Sequence, residues 1–389
     1  MENDAVIVSA VRTPIGKYAG SLATVKDYEL GSIVMREAIQ RAGIDAGIID
    51  DVYFGNLLGL PGNVAKVAAM GAGVPDHVPA VTIDRQCASS LESIVIAAAM
   101  IQGNLGEVYM TGGCESMTNK PHYLLRSSVP YEFSPPDFLN SMFVPPEGFE
   151  QLSMGNTAEN ILKLYPYARE ELDAFALRSH TLALKAWEQN RFKNEIVPVP
   201  VKTKKGSFLF EQDEAPRAST TMEVLGKLRP CFQKDGTVTA GNSCPMNDGA
   251  TALIVMSRKK AQECGCKPLV RIKAFATAGV DYKIMGLGPI AAVKKLFAKT
   301  DIKVEDVGLI ELNEAFANQA LACISELGFN MDIVNVNGGA IALGHPLAAT
   351  GGILTTKLIY EMQRRDVLYG LVTMCIGGGQ GMAVLYEKE

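Results

Sequence analysis

Four short stretches of this chain place reactive side chains at expected strand ends and turns, two of them close to glycine or proline. In "TIDRQCASSLES" (82–93) one cysteine, Cys87, stands between an apolar run and a helical one. A thiol at such a junction meets the positive end of a helix dipole, which favours the thiolate and makes a nucleophile. A buried structural thiol is the competing reading, because free cysteines behave as small hydrophobes. In "NVNGGAIALGHPLAATGG" (335–352) His345, one of four histidines, lies in a glycine-rich turn fixed by Pro346. It has little packing reason to be there, and imidazole is the commonest acid–base group near neutral pH; a hydrogen-bonded loop histidine is the alternative. In "CIGGGQG" (375–381) Cys375 ends an apolar run and three glycines follow. No helix start comes after them, which argues against a dinucleotide loop. A tight hairpin is expected instead, exposing backbone N–H groups beside a thiol in the manner of an oxyanion hole. In "ELNEAFA" (311–317) Asn313 and Glu314 fall at a strand end, a usual place for a site in an α/β sheet, although a helix cap fits as well.

The elements that must hold these groups follow from hydrophobic periodicity. "AVIVSAV" (5–11), "DVYFGN", "AVTID" and "EVYMTGG" read as strands, interleaved with helical patterns over residues 28–43, 64–71 and 88–102. This alternation predicts an α/β fold with a largely parallel, buried sheet. From about residue 120 to 239 the character changes: prolines cluster in "VPYEFSPPDF" and "FVPPEGF", lysines in "VKTKKG", and a helical stretch (168–190) is embedded among loops. The βα rhythm returns after "NDGATALIVMS" (247–257), through "VGLIEL", "IVNVNGG" and "LVTMCIGGGQGMAVLY", with Gly338 and Gly339 ending a strand and a helix expected over 347–363. Two α/β halves are therefore expected, residues 1–119 plus 245–268 and residues 269–389, with an inserted loop domain at 120–244. Their shared order of strand, helix and glycine-rich strand end suggests a duplication.

At 389 residues the chain can bury a large core, and a net charge of −5 argues against nucleic acid as the main partner. No run of about 18 apolar residues occurs, so no membrane span is expected. The opening "MENDAVIVSA" does not read as a signal peptide, and cytoplasm is the expected compartment. Eight cysteines without framework spacing are expected to be reduced thiols, and Cys264-x-Cys266 lacks the partners of a zinc set, so no metal is expected. Lys202, Lys204 and Lys205 read as a solvated charge cluster.

Taken together the motifs are far more specific than any one alone. "VRTPIGKYAGSL", "GGCESM", "MGNTAEN", "KLRPCFQKDGTVTAGN", "NDGA", "MGLGP", "NEAFA", "NVNGGAIALGHP" and "CIGGGQGMA" run nearly end to end, and the chain resembles the thiolases. The resemblance implies duplicated α/β halves of mixed, mostly parallel sheets with helix layers between them. It also implies reversible, ping-pong acyl transfer between a 3-ketoacyl-CoA and CoA, yielding or consuming acetyl-CoA. By the family pattern Cys87 carries the acyl group as a thioester, His345 takes its proton, and Cys375 serves as acid and base at the other carbon. Asn313, through a held water, with His345 would hold the enolate oxygen, and the amides of Cys87 and Gly377 the tetrahedral intermediate. CoA, a substrate rather than a bound cofactor, would meet Arg217 near its adenine nucleotide. Met154, Phe232, Ala315 and Phe316 would surround its arm and the acyl chain, with Ala240, Ser243 and Cys244 in the adjoining loop. A homodimer or homotetramer is the family precedent.

The chain departs from that pattern at several places. "CASSLES" has Ser90 and Ser93 where glycine and alanine are usual, and these side chains are expected to narrow or hydrate the pocket beside Cys87. "GHPLAATG" has Ala348 for a glycine, "NSCPM" has Cys244-Pro245 for a serine and a glycine, and Ser153 replaces a histidine common in short-chain members. "GLPGNVAKVA" is an altered segment expected to bear on a dimer contact. Two alternatives accompany the thiolase reading: a catalytically altered homologue acting as a CoA-binding subunit, and a related condensing enzyme. Such condensing enzymes pair their cysteine with two histidines, or with His and Asn, whereas Cys375 favours thiolase.

Overall fold

Side chains alternate between two buried faces along most strands, which is why their sequences read as nearly unbroken apolar runs. The computed structural model describes residues 3–59, 62–124, 131, 138–139, 144–204 and 206–389. The altered segment at 59–68 and the proline-rich 129–149 lie partly outside the described residues, as does Lys205, while Lys202 and Lys204 are exposed. The first part of the chain contributes strands β1 (Ala5–Arg12), β2 (Gly16–Lys17), β3 (Asp51–Gly55), β4 (Ala80–Ile83) and β5 (Val108–Ser116), with helices α1 (Asp27–Ala42), α2 (Val64–Ala72) and α3 (Ser89–Gln102). Between residues 120 and 239 lie two small ladders, β6 (Tyr123–Leu124) with β7 (Phe138–Leu139) and β8 (Val199–Thr203) with β9 (Gly206–Phe210), and helices α4 (Met154–Leu162), α5 (Arg169–Glu188) and α6 (Met222–Gly226). Then come β10 (Asn247–Ser257), α7 (Arg258–Glu263), β11 (Val270–Gly279), α8 (Gly288–Phe297), β12 (Leu309–Leu312), α9 (Ala317–Leu327), α10 (Ala340–Leu343), α11 (Thr350–Arg365), β13 (Tyr369–Ile376) and β14 (Gln380–Lys388).

The main sheet runs β12-β13-β14-β11-β1-β10-β5-β3-β4, with β2 paired to β10. It is mixed, but the expectation of mostly parallel pairing is corrected. Parallel pairs are confined to β12–β13, β3–β4 and β3–β5, while the others are antiparallel. The reason is connectivity. β13 and β14 are joined by a three-glycine hairpin, which forces antiparallel pairing. β10 returns from the long insertion to lie antiparallel between β1 and β5.

Helices α3 and α11 fill the middle layer. Leu91 and Ile94 of α3 and Leu354, Leu358 and Ile359 of α11 share one core with Ile7, Leu253 and Val255 on one side and Val372, Met374 and Val384 on the other. Outside, α1 and α2 cover Val6, Phe54 and Met110. Helices α8 and α9 cover Ile310, Leu371 and Leu385. One expected strand does not form. "IVNVNGG" makes only a single-residue bridge, Ile310 to Val334, after a 3₁₀ turn at Met331–Ile333. Asn335 adopts φ 48, and its side-chain amide accepts from Leu312 N–H and donates to Leu312 C=O (2.9 and 2.8 Å), taking the place of a ladder partner.

Candidate active site

One cavity of about 620 Å³ is lined by Cys87, His345, Cys375, Gly377, Met154, Phe232, Ser243, Cys244, Ala315 and Phe316. All ten were expected at the site from sequence. They reach it from segments remote in sequence. Cys87 stands in the turn between β4 and α3, Gln86 before it holds φ 47, and Gln86 N–H donates to Asp84 (2.7 Å). Cys375 ends β13, and Gly377 begins the hairpin in which Gly378 and Gly379 both take φ 83, a conformation that only glycine adopts freely. Arg85 ties the two together, donating to Gln380 at the start of β14 (3.2 Å) and to Glu92 of α3 (2.9 Å).

His345 is held by its backbone and by one ring nitrogen. Its N–H donates to Asn247 Oδ1 (2.9 Å), Nδ1 lies 2.6 Å from Thr350 Oγ1, and the buried Nε2 has no partner among the described residues. Asn313 follows β12, fully buried, with both amide atoms equally without partners. Buried polar groups normally find partners, so His345 Nε2 and Asn313 Nδ2 mark places where an acceptor oxygen would be satisfied. Asn313 is not among the cavity-lining residues. The segment before β10 is zipped to "NEAFA": Cys244 N–H donates to Ala315 C=O (3.0 Å) and Ala317 N–H to Asn242 C=O (2.9 Å).

Electrostatics correct one expectation. The helix-end position does not depress the Cys87 pKa. Burial pushes the thiol up to about 11, and the backbone N–H groups of Gly377 and of Cys87 itself, which donate to the sulfur, only partly offset it. Burial raises the Cys375 thiol well above the ordinary thiol range and Cys244 to about 12, and it lowers His345 to about 4. A neutral thiol beside a neutral imidazole is therefore the resting state near pH 7. The same two N–H groups that reach the sulfur are placed to receive an oxyanion formed on a carbon bonded to it.

The second correction concerns Ser90 and Ser93. Both are fully buried and neither lines the cavity. Ser90 Oγ accepts from Gly352 N–H in the first turn of α11 (2.9 Å), while Ser93 Oγ donates to Ser90 C=O (2.7 Å) and accepts from Gly112 N–H of β5 (3.0 Å). They stitch the middle helices to the sheet and leave the pocket wall alone. Ser153 caps α4 through Asn156 N–H (3.1 Å) and lines the cavity.

Arg217 and Ala240 are exposed and lie outside the cavity lining. Sequence reading overlooked Leu57, Leu58, Met117, Met285 and Leu347 in the wall, and Thr350 behind His345. The apolar ones gave no signal, since nothing in their local pattern distinguishes cavity wall from core. Thr350 did give one, standing five residues after His345 at a helix start.

The chain matches the family models "Thiolase, N-terminal domain" over residues 5–259 and "Thiolase, C-terminal domain" over residues 266–388. The chain belongs to the thiolase family. It is 47% identical to an acetyl-CoA acetyltransferase of Syntrophomonas wolfei, with all of both chains covered. A 3-ketoacyl-CoA thiolase of Bacillus subtilis is 45% identical over 99% of each. The crystal structure of the Bacillus anthracis acetyl-CoA acetyltransferase superposes with a TM-score of 0.95 at 42% identity, covering 99% of each chain. This thiolase thus has the mixed α/β fold of its relatives. Among its described residues no helix is long and apolar enough to cross a membrane.

Proposed function

We propose that this thiolase catalyses reversible acyl transfer between a 3-ketoacyl-CoA and CoA through an acyl-Cys87 intermediate. The observation that carries the reading is the placement of Cys87, His345, Cys375 and Gly377 around one apolar cavity, with the Gly377 and Cys87 N–H groups aimed at the Cys87 sulfur. Cys87 sulfur attacks the 3-keto carbon as His345 Nε2 takes the thiol proton. The C2–C3 bond then breaks, leaving acyl-Cys87 and the enolate of acetyl-CoA, which Cys375 protonates. In the second half CoA sulfur attacks the thioester as the Cys375 thiolate takes the CoA proton, and His345 returns its proton to the released Cys87 sulfur. Because the resting thiol and imidazole are both neutral, the proton moves with the attack and no thiolate stands in advance. His345, and Asn313 through a held water, suit the enolate oxygen, since their buried polar atoms lack protein partners among the described residues. Each oxyanion donor supplies about 3–4 kcal/mol of barrier lowering.

CoA enters as substrate, with no covalent cofactor. Met154, Phe232, Ser243, Cys244, Ala315 and Phe316 enclose its arm, and Arg217 and Ala240 at the surface meet the nucleotide end. The compartment is the cytoplasm, in keeping with eight free cysteines. The working unit is a homo-oligomer built on a dimer, supported by the open edge strand β4 with its exposed Val81 and by the exposed Val67 and Met70 of α2.

Incubation with acetoacetyl-CoA followed by peptide mass analysis tests the reaction. An acetyl adduct on Cys87, lost together with activity in Cys87→Ala, is the expected result. No adduct, with activity retained in Cys87→Ala, would sink the mechanism. A series of 3-ketoacyl-CoAs of rising length then gives the preferred chain.

A further inference from the structure

The motif "GGCESM" ends β5 with a carboxylate that the reaction above does not use. Glu115 is fully buried, and the hydrogen bonds it accepts come from three backbone N–H groups on two remote segments. Leu58 N–H reaches Oε1 at 3.0 Å, Leu57 N–H reaches Oε2 at 3.3 Å, and Ala348 N–H reaches Oε2 at 3.2 Å. Leu57 and Leu58 line the cavity, as does Leu347, and Ala348 belongs to the 3₁₀ turn that follows His345-Pro346.

The residue type is informative. A buried carboxylate without a cation is expensive, and among the described residues no cationic side chain hydrogen-bonds to this one. The titratable groups that feel its charge, or whose charge it feels, are Asp27 on α1, Cys87 ahead of α3 and Cys114 beside it on β5. Glutamine would fill the same volume without the charge, but it has a single acceptor oxygen, and its NH₂ would confront one of the N–H groups. Two acceptor oxygens are what gathering three donors from both segments requires.

We propose that Glu115 is a positioning residue for acyl transfer, locking the Leu57–Leu58 wall of the cavity to the turn that carries His345. The wall against which the substrate rests and the base that takes the thiol proton are then held in one register. Burial raises the carboxyl to about 8 against the pull of its three N–H donors, so both oxygens accept, and the lock is complete, where the group is ionised above that pH; its charge is felt at Cys87. The proposal rests on the thiolase reading.

The test is single-turnover acylation of Cys87 by acetoacetyl-CoA, read by mass on quenched samples across pH. Above pH 8 Glu115→Gln is expected to acylate about 10-fold more slowly while KM stays within about twofold, and Glu115→Asp, which keeps both acceptor oxygens, recovers part of the loss. The parent's rate profile bends near pH 8, and Glu115→Gln removes that bend. Equal acylation rates in parent and Glu115→Gln, or a bend that survives the substitution, overturns the proposal. So does a parent profile without the bend, even where Glu115→Gln fails to fold. A parent that forms no acyl-Cys87 at all refutes the thiolase reading instead, so the two failures are distinguishable.

Discussion

His345 is held at one ring nitrogen and open at the other, and that asymmetry is what a proton acceptor needs. The contact between Nδ1 and Thr350 Oγ1 fixes the ring plane, leaving Nε2 to work. Thr350→Val removes the hydroxyl while keeping the shape of the buried side chain. It is expected to lower kcat about 10-fold with little change in KM, measured with acetoacetyl-CoA and CoA; an unchanged kcat would show that the ring needs no such partner. At this scale the reactive types were legible because few residues do this chemistry, and His345 and Cys375 also stood close to glycine or proline. Their protonation was not legible. The dipole argument predicts a depressed Cys87 pKa, yet desolvation by residues from all over the chain outweighs it.

Helix α11 begins without a side-chain cap of its own, since Ala349 stands at the N-cap. Its Gly352 N–H is satisfied from another helix, by Ser90. A glycine in place of Ser90, the usual family residue, has no oxygen to offer. Ser90→Ala is therefore expected to cost about 1–2 kcal/mol in urea unfolding, while kcat changes less than about twofold because the side chain does not face the cavity. A large loss of activity with intact stability would restore the idea that Ser90 shapes the pocket. The elements themselves were largely readable, since α1, α2, α3 and α11 follow clear apolar periodicity. The segment at 333–339 was not, because apolar residues at period two fit a strand equally well until the Asn335 amide occupies the strand's place on β12.

Across the whole molecule the sheet ends on one side at β4, an edge whose Val81 is 43% exposed beside Val67 and Met70 of α2. Such an edge pairs with another unless something covers it. Sedimentation equilibrium is expected to give at least twice the chain mass for the parent, and Val81→Asp to shift it toward one chain mass; a monomeric parent would remove the proposal of a homo-oligomer. By itself the sequence determined the reactive residues, the α/β alternation and the family, because these depend on residue type and local spacing, which are written along the chain. Tertiary structure alone decided that antiparallel pairs predominate, that Ser90 caps a distant helix, that burial keeps Cys87 and His345 neutral, and that Glu115 joins two loops. Each of those depends on which groups, remote in sequence, exclude water from one another or share a hydrogen bond, and no local spacing encodes that.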